Sequence, residues 1–271
     1  MSFVLVERPV PEVAVVTLNR PERMNAMAFD VMVPFRDQLV ALGHDNTLRA
    51  VVVTGAGRGF CSGADQESAG TPPHVEGLTR PTYALRSMEM LEDITLTLRR
   101  LHQPVIAAVN GAAIGGGLCL ALACDIRIAA PEAYFRAAGI NNGLTASELG
   151  LSYLLPRAIG SSRAAEIMLT GRDVSSREAE RIGLVSEVVE DPGTDVVARA
   201  VEIGQRIAGF SQPGVELTKR TLVTGLDASS LEGHMAAEGL GQLYLRILTD
   251  NFEEATRARK EGRPPRFSDT R

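Results

Sequence analysis

The chain has 271 residues, enough for one domain of ordinary size or one domain with a small appendage. Its 45% hydrophobic and 23% charged residues are ordinary for a globular fold. A net charge of −5, 4% aromatic residues and no Trp argue against a nucleic-acid partner. Phosphate backbones are gripped by clustered Lys and Arg, and single strands by stacked rings. Three cysteines (Cys61, Cys119, Cys124) with no secreted pattern around them fit a reducing compartment, hence the cytoplasm, and no disulfide. Four scattered histidines make a metal site improbable. The first residues have no basic start followed by a long apolar stretch, so no signal peptide is expected.

In chain order, Val13–Leu18 is a β-branched run ending at the turn-like Asn19-Arg20-Pro21. Ala26–Leu42 has helical spacing interrupted by Pro34, which predicts a helix with a bend or a late start. Arg49–Thr54 reads as a buried parallel-type strand. Gln66–Pro81, rich in Gly, Pro, Ser and Thr, reads as a mobile excursion. Tyr83–Arg100 returns to helical periodicity, and the strand Pro104–Val109 follows. Leu118–Ala123 is expected as a buried helix, Asp125–Ala129 as a strand, Ser161–Leu169 as a helix and Leu184–Val189 as a short strand. From Asp195 the pattern is helical almost to a polar, basic tail at Arg257–Arg271. Alternating strands and helices imply an α/β core over residues 1–194, with a helical region at 195–271.

Val105–Cys124 is 20 residues without a formal charge and so has the length of a membrane span. It is mostly Ala and Gly, with Asn110 near its middle, and is better explained as a strand, a tight loop and a buried helix. No membrane span is expected.

Gly55-Ala56-Gly57-Arg58-Gly59 follows a strand, but its G-x-G-x-G spacing and the FCSGAD after it miss the dinucleotide fingerprint, and no Gly-Lys-Ser/Thr occurs. Glycine loops do allow backbone N–H groups to approach a ligand closely. The loop Gly115–Gly117 runs into an apolar helix, so its amides would lie at a helix N-terminus that favours negative charge. Residue type alone leaves two readings open, an oxyanion hole or tight strand–helix packing.

Six segments in order, LNRPERMNAM (18–27), VVVTGAGRGFCSGAD (51–65), PVIAAVNGAAIGGGLCLALACDIRIA (104–129), LPRAIG (155–160), LTGRDVSSREAERIGLVSEVV (169–189) and KEGRPPRF (260–267), resemble the crotonase superfamily of enoyl-CoA hydratases and isomerases. The likeness covers almost the whole chain. It implies an α/β spiral of ββα units with a helical C-terminal region that trimerises, often as a dimer of trimers. It also implies a CoA thioester as substrate, with no cofactor or metal, whose carbonyl sits between two backbone N–H groups. Those positions correspond to Ala64 in SGAD and Gly116 in GGG. Adenine and pantetheine contacts fall around Arg23, Met24, Ala26 and Ala64, while Lys260 and Phe267 match positions that often reach CoA from a neighbouring subunit.

One departure matters. Hydratases of this family carry a Glu two residues after the GGG and another after the following strand; here those places hold Cys119 and Gly139. A positioned acid or base contributes about 10²–10⁴-fold, so loss of both should cripple water addition. Cys119 as a nucleophile is conceivable, but a Cys at an apolar helix start is usually inert core. Glu148, eight residues before Pro156, resembles the acidic residue of some enoyl-CoA and dienoyl-CoA isomerases and of aroyl-CoA dehalogenases. Taken alone it could equally cap a helix turn or face solvent. Dehalogenation in the family usually has an Asp and nearby aromatic residues, whereas this chain offers Glu148 and few aromatic residues. Arg136 stands where the family commonly has Gly and reads as a structural arginine more readily than as a substrate contact.

The leading expectation is therefore an isomerase that uses Glu148 as proton carrier and the Ala64 and Gly116 amides as oxyanion hole. The alternatives are a hydratase with a non-standard acid such as Glu67, or a non-catalytic acyl-CoA-binding subunit.

Overall fold

The computed structural model describes residues 2–191, 193 and 195–268. The chain opens with β1 (Val4–Val10) and β2 (Val13–Leu18), then α1 (Phe29–Gly43), β3 (Ala50–Gly55), β4 (Gly59–Cys61) and α2 (Arg80–Arg100). Next come β5 (Val105–Val109), β6 (Ala112–Ile114), α3 (Gly116–Ala123), β7 (Ile126–Ala129) and β8 (Tyr134–Arg136). After these lie α4 (Leu151–Ile159), α5 (Ser161–Thr170), β9 (Val174–Ser175), α6 (Ser176–Ile182) and β10 (Glu187–Val188). Four helices close the chain: α7 (Val196–Ala208), α8 (Gln212–Gly225), α9 (Leu231–Leu248) and α10 (Asn251–Glu261).

Two sheets take alternate strands. The larger has the order β1-β2-β3-β5-β7-β10, and the smaller β4-β6-β8-β9. β3, β5 and β7 pair in parallel in the first sheet, while the strands that follow them, β4, β6 and β8, pair in parallel in the second. Each turn of the chain thus gives one strand to each sheet, which is the ββα spiral. At one edge of each sheet an outer pair, β1 on β2 and β8 on β9, is antiparallel.

The parallel strands are apolar at nearly every position because both faces of the large sheet are covered. Ala14, Val16, Val51, Val53, Val105 and Ala107 point into the main core with α1, α2 and α3. Their neighbours Val13, Val15, Ala50, Val52, Ile106 and Ala108 point the other way, onto Val196, Ala200 and Val201 of α7. The split follows the two-residue period of a strand. Each such fully buried Val, Leu or Ile is worth about 1.5–3 kcal/mol over leaving it exposed. All eight residues of α3 are buried, which is why its sequence lacks an amphipathic stripe.

Several expectations shift. α1 begins late, at Phe29, and continues through Pro34. α2 begins at Arg80, three residues before the periodic stretch, because Pro81 is tolerated in a first helical turn. Residues 66–79 carry no regular element, although Ala69 accepts a bond from the Phe29 N–H and Val75 is buried. The strand expected at Leu184–Val189 shrinks to Glu187–Val188, and α10 takes the start of the basic tail as far as Glu261. Residues 269–271 of that tail lie outside the described residues.

Candidate active site

Three loops meet at the N-terminus of α3. The first follows β2. A single 3₁₀ turn at Pro21–Arg23 leads into Met24 and Asn25, both left-handed, with φ of 52° and 55°. Asn tolerates that conformation better than most residues, and its side chain here is what holds the turn. Asn25 is fully buried: Oδ1 accepts from the Arg20 N–H at 2.8 Å, and Nδ2 donates to the carbonyls of Ala56 (3.0 Å) and Gly59 (2.7 Å). Gly55 is obligatory beneath it, since a Cβ there would lie 2.3 Å from the Gly59 carbonyl oxygen and 2.6 Å from Asn25 Nδ2.

The second loop is the SGAD stretch after β4. Asp65 is buried and accepts from Arg20 (2.7 Å), Arg23 (2.9 Å) and the N–H groups of Glu67 (3.0 Å) and Ser68 (2.9 Å). These donors, Arg23 foremost, hold its carboxyl well below the usual carboxylate range. Met27 is bridged to this loop by its N–H to the Gly63 carbonyl at 2.7 Å and by the Asp65 N–H to its own carbonyl at 3.0 Å. The bridge uses the residues on either side of Ala64. Among the described residues, the N–H of Ala64, which is exposed, has no acceptor.

The third loop links β6 to α3. Gly115 (φ 53°, ψ −119°) turns the chain so that Gly116 and Gly117 open the helix. A Cβ on Gly63 would lie 3.3 Å from the Gly116 nitrogen, so the SGAD loop and the helix start are in contact. A Cβ on Gly116 would strike Met27 Sδ at 2.3 Å, and one on Gly117 would strike the Cys61 carbonyl oxygen at 2.0 Å. The Gly116 N–H has no acceptor among the described residues and stands in the positive end of the helix dipole. Two free amides from adjacent loops can receive one developing oxyanion.

Glu148 approaches from the loop before α4. A Cβ on Gly115 would be 3.2 Å from Glu148 Oε1, which puts the carboxylate beside the residue preceding the Gly116 amide. Leu149 (φ 44°) and Gly150 (φ 87°) are both left-handed, so the backbone reverses directly after it. The side chain is half-buried, has no ion-pair or hydrogen-bond partner among the described residues, and desolvation raises its pKa. The carboxylate is partly desolvated and, among the described residues, not neutralised by an arginine.

Cys119 and Gly139 are placed differently from one another. Cys119 is fully buried on α3, and its thiol reaches the Glu148 carbonyl at 3.5 Å. Burial, and then the charge of Glu148, push the thiol well above its usual range, which disfavours the thiolate. At Gly139 the following loop has closed in: a Cβ would stand 1.9 Å from the Thr145 carbonyl oxygen. Arg136 is spent on Asp173 in a two-pronged pair at 2.6 and 2.8 Å. Glu67 is largely exposed and paired with Arg23 at 2.5 Å.

Of the residues singled out in the sequence, Ala64, Gly116 and Glu148 come together, with Met24 and Ala26 next to them. The Met24 carbonyl accepts from the Ser62 N–H at 3.0 Å, and Arg23 joins through Asp65. Lys260 and Phe267 do not join within one chain. Lys260 lines a cavity of about 410 Å³ with Arg246, Phe252 and Arg257; Phe267 lines another of about 540 Å³ with Pro104, Phe210 and Lys219. Asn25 and the left-handed pair at 149–150 escaped sequence reading, because nothing local distinguishes a buried Asn staple from an ordinary turn residue. The histidines are not all without a nearby ligand-type residue, since His234 faces Glu238 one helical turn on, at 3.5 Å. Among the described residues no cluster of three or more His, Cys, Asp or Glu could hold a metal ion, and no helix is long and apolar enough to cross a membrane.

The enoyl-CoA hydratase/isomerase family model matches residues 10–270. A probable enoyl-CoA hydratase of Mycobacterium bovis, echA12, is 72% identical over 99% of this chain and 94% of its own. A solved probable enoyl-CoA hydratase/isomerase from Mycobacterium abscessus superimposes with a TM-score of 0.95 at 71% identity, covering 100% of both chains. A monofunctional enoyl-CoA isomerase from M. smegmatis is 64% identical, with a TM-score of 0.73 over 87% of this chain and 99% of that one. With its spiral of ββα units and its two free loop amides, the chain belongs to the enoyl-CoA hydratase/isomerase family of the crotonase superfamily, and it is an enzyme of that family.

Proposed function

We propose that the chain isomerises enoyl-CoA thioesters through a single carboxylate. The observation that carries this reading is the half-buried, unpartnered Glu148 beside Gly115, where burial makes the carboxylate more basic than usual. In a 3-enoyl thioester, Glu148 takes a proton from C2 and the electron pair moves onto the thioester oxygen. The resulting enolate is held by the Ala64 and Gly116 N–H groups, each such donor being worth about 3–4 kcal/mol in acyl-transfer sites. Glu148 then returns the proton at C4, giving the 2-enoyl thioester with no other group consumed. Arg23, Met24 and Ala26 are assigned to the CoA portion.

Hydration needs a second carboxylate for the water, and the two positions that would supply the pair hold a buried thiol and a glycine with no room for a side chain. Glu67, the substitute acid considered from sequence, is tied to Arg23. The name of the M. bovis relative favours hydration, whereas the name of the M. smegmatis structure favours isomerisation. A trimer, or a dimer of trimers, formed by the region 195–271 belongs to the same reading, and so does the supply of Lys260 and Phe267 to a neighbouring subunit. It is supported by α9, an 18-residue helix without a buried residue that exposes Leu231, Leu240 and Tyr244. The test is product analysis by NMR in heavy water on 2-enoyl-, 3-enoyl- and dienoyl-CoA. Double-bond migration without a hydroxyacyl product supports the proposal; a 3-hydroxyacyl product overturns it in favour of hydration. Binding without turnover or exchange overturns it in favour of a binding subunit.

A further inference from the structure

We propose that Cys119 is a positioning residue for Glu148: its thiol holds the Glu148 backbone carbonyl while Gly115, one helical turn earlier, seats the carboxylate. The inference rests on the reading of Glu148 as proton carrier and adds what sets its geometry. Cys119 donates its N–H to the Gly115 carbonyl at 3.1 Å, which puts the two residues on one face of α3. Glu148 meets that face at two points. Its carbonyl oxygen lies 3.5 Å from Cys119 Sγ, and its Oε1 lies 3.2 Å from where a Gly115 Cβ would be. The carbonyl also accepts the Leu151 N–H at 2.7 Å, so it is gripped from α3 and from α4 together.

The backbone beyond needs such a grip. A branched residue with positive φ, as at Leu149, persists only where its surroundings impose it, and here Gly150 continues the same reversal. The thiol suits the task because burial keeps it protonated, hence a neutral donor at any working pH. A carboxylate at position 119 would offer only acceptors to that carbonyl and would set a second negative charge beside Glu148. The residue that would complete a hydratase pair is therefore incompatible with the present setting of Glu148. The thiol is structural equipment for the single-carboxylate site, and not the trace of a lost acid.

The test is steady-state kinetics of 3-enoyl-CoA isomerisation across pH for the full chain and for C119A, C119S and E148Q, with thermal melts of each. A thiol is a weak donor, so C119A should lose about 3–10-fold in kcat with KM nearly unchanged. Its carboxylate, loosened and better hydrated, should titrate lower, moving the acid limb of the kcat profile to lower pH. C119S, which keeps a donor, should retain both kcat and the limb. Equal kcat in C119A and the unaltered chain overturns the proposal. So does a loss in C119S as large as in C119A with neither limb moved, which would mean that the sulfur only fills volume. E148Q separates the two levels: full turnover in E148Q overturns the reading of Glu148 itself, whereas an inactive E148Q beside an unaffected C119A overturns only the positioning role.

Discussion

Replacing Glu148 with Gln keeps the shape of the side chain and removes its capacity to carry a proton, and the structure sets opposite expectations for activity and stability. A positioned general base contributes about 10²–10⁴-fold, which is about 2.7–5.5 kcal/mol of barrier. On the proposed mechanism KM should change little, because the carboxylate would meet the reacting carbon and not the CoA moiety. Desolvation raises the Glu148 pKa in the folded chain above its value in the unfolded chain. The folded state therefore holds the proton more tightly, and stability falls as pH rises from the ordinary carboxylate value, about 4.3, through the raised one. At neutral pH the ionised Glu148 is a cost to the fold, so E148Q should melt higher than the unaltered chain. Below about pH 3 the carboxyl is neutral in both the folded and the unfolded chain, and the difference should vanish. Isomerisation of 3-enoyl-CoA followed by NMR, with melts at the two pH values, reads both effects. Undiminished turnover, or a lower melting temperature for E148Q at neutral pH, would refute the reasoning.

Other perturbations test the supports of the site. At Gly139 even Ala should be harmful, since its Cβ would lie 1.9 Å from a backbone oxygen; a loss of about 1–3 kcal/mol or more is expected from chemical denaturation, and an unchanged midpoint would sink the steric argument. For the same reason the double variant C119E/G139E should yield no 3-hydroxyacyl product, despite restoring both hydratase acids. Asn25→Ala removes three hydrogen bonds from a buried staple and should cost about 2–4 kcal/mol, with weakened CoA binding; a cost below about 1 kcal/mol would show that Met24 and Asn25 hold their turn unaided. Sedimentation is expected to give a trimer or its multiple, and Leu240→Glu on the exposed face of α9 should shift it toward monomer; an unshifted sedimentation profile in that variant would remove α9 from the interface.

Much of the fold was legible in the chain. The apolar runs at 13–18, 49–54 and 104–109 announce strands, the second of them a buried one, and each lies within a residue of the observed element. The second sheet was not legible. β4, β6 and β8 are three residues each, too short to show a period, and they exist because the spiral stacks them side by side. β1 also went unread: it is an edge strand with most of its side chains exposed, fixed by pairing with β2. Tertiary context overrode a local signal at Pro34, carried inside α1.

The residue types of the site follow from the chain itself. Glycines at 115–117 allow an amide to face a ligand, SGAD supplies a second loop, and a thiol and a glycine stand where two acids would be needed. Sequence could not say that Glu148 is half-buried and unpartnered, that its carboxylate lies over Gly115, or that the Gly139 loop has closed against any side chain. Those facts depend on loops far apart in the chain meeting at one helix N-terminus. Chemical identity is a property of single positions and is written along the chain. Basicity and reach are properties of distance and desolvation, and they arise only when the spiral closes.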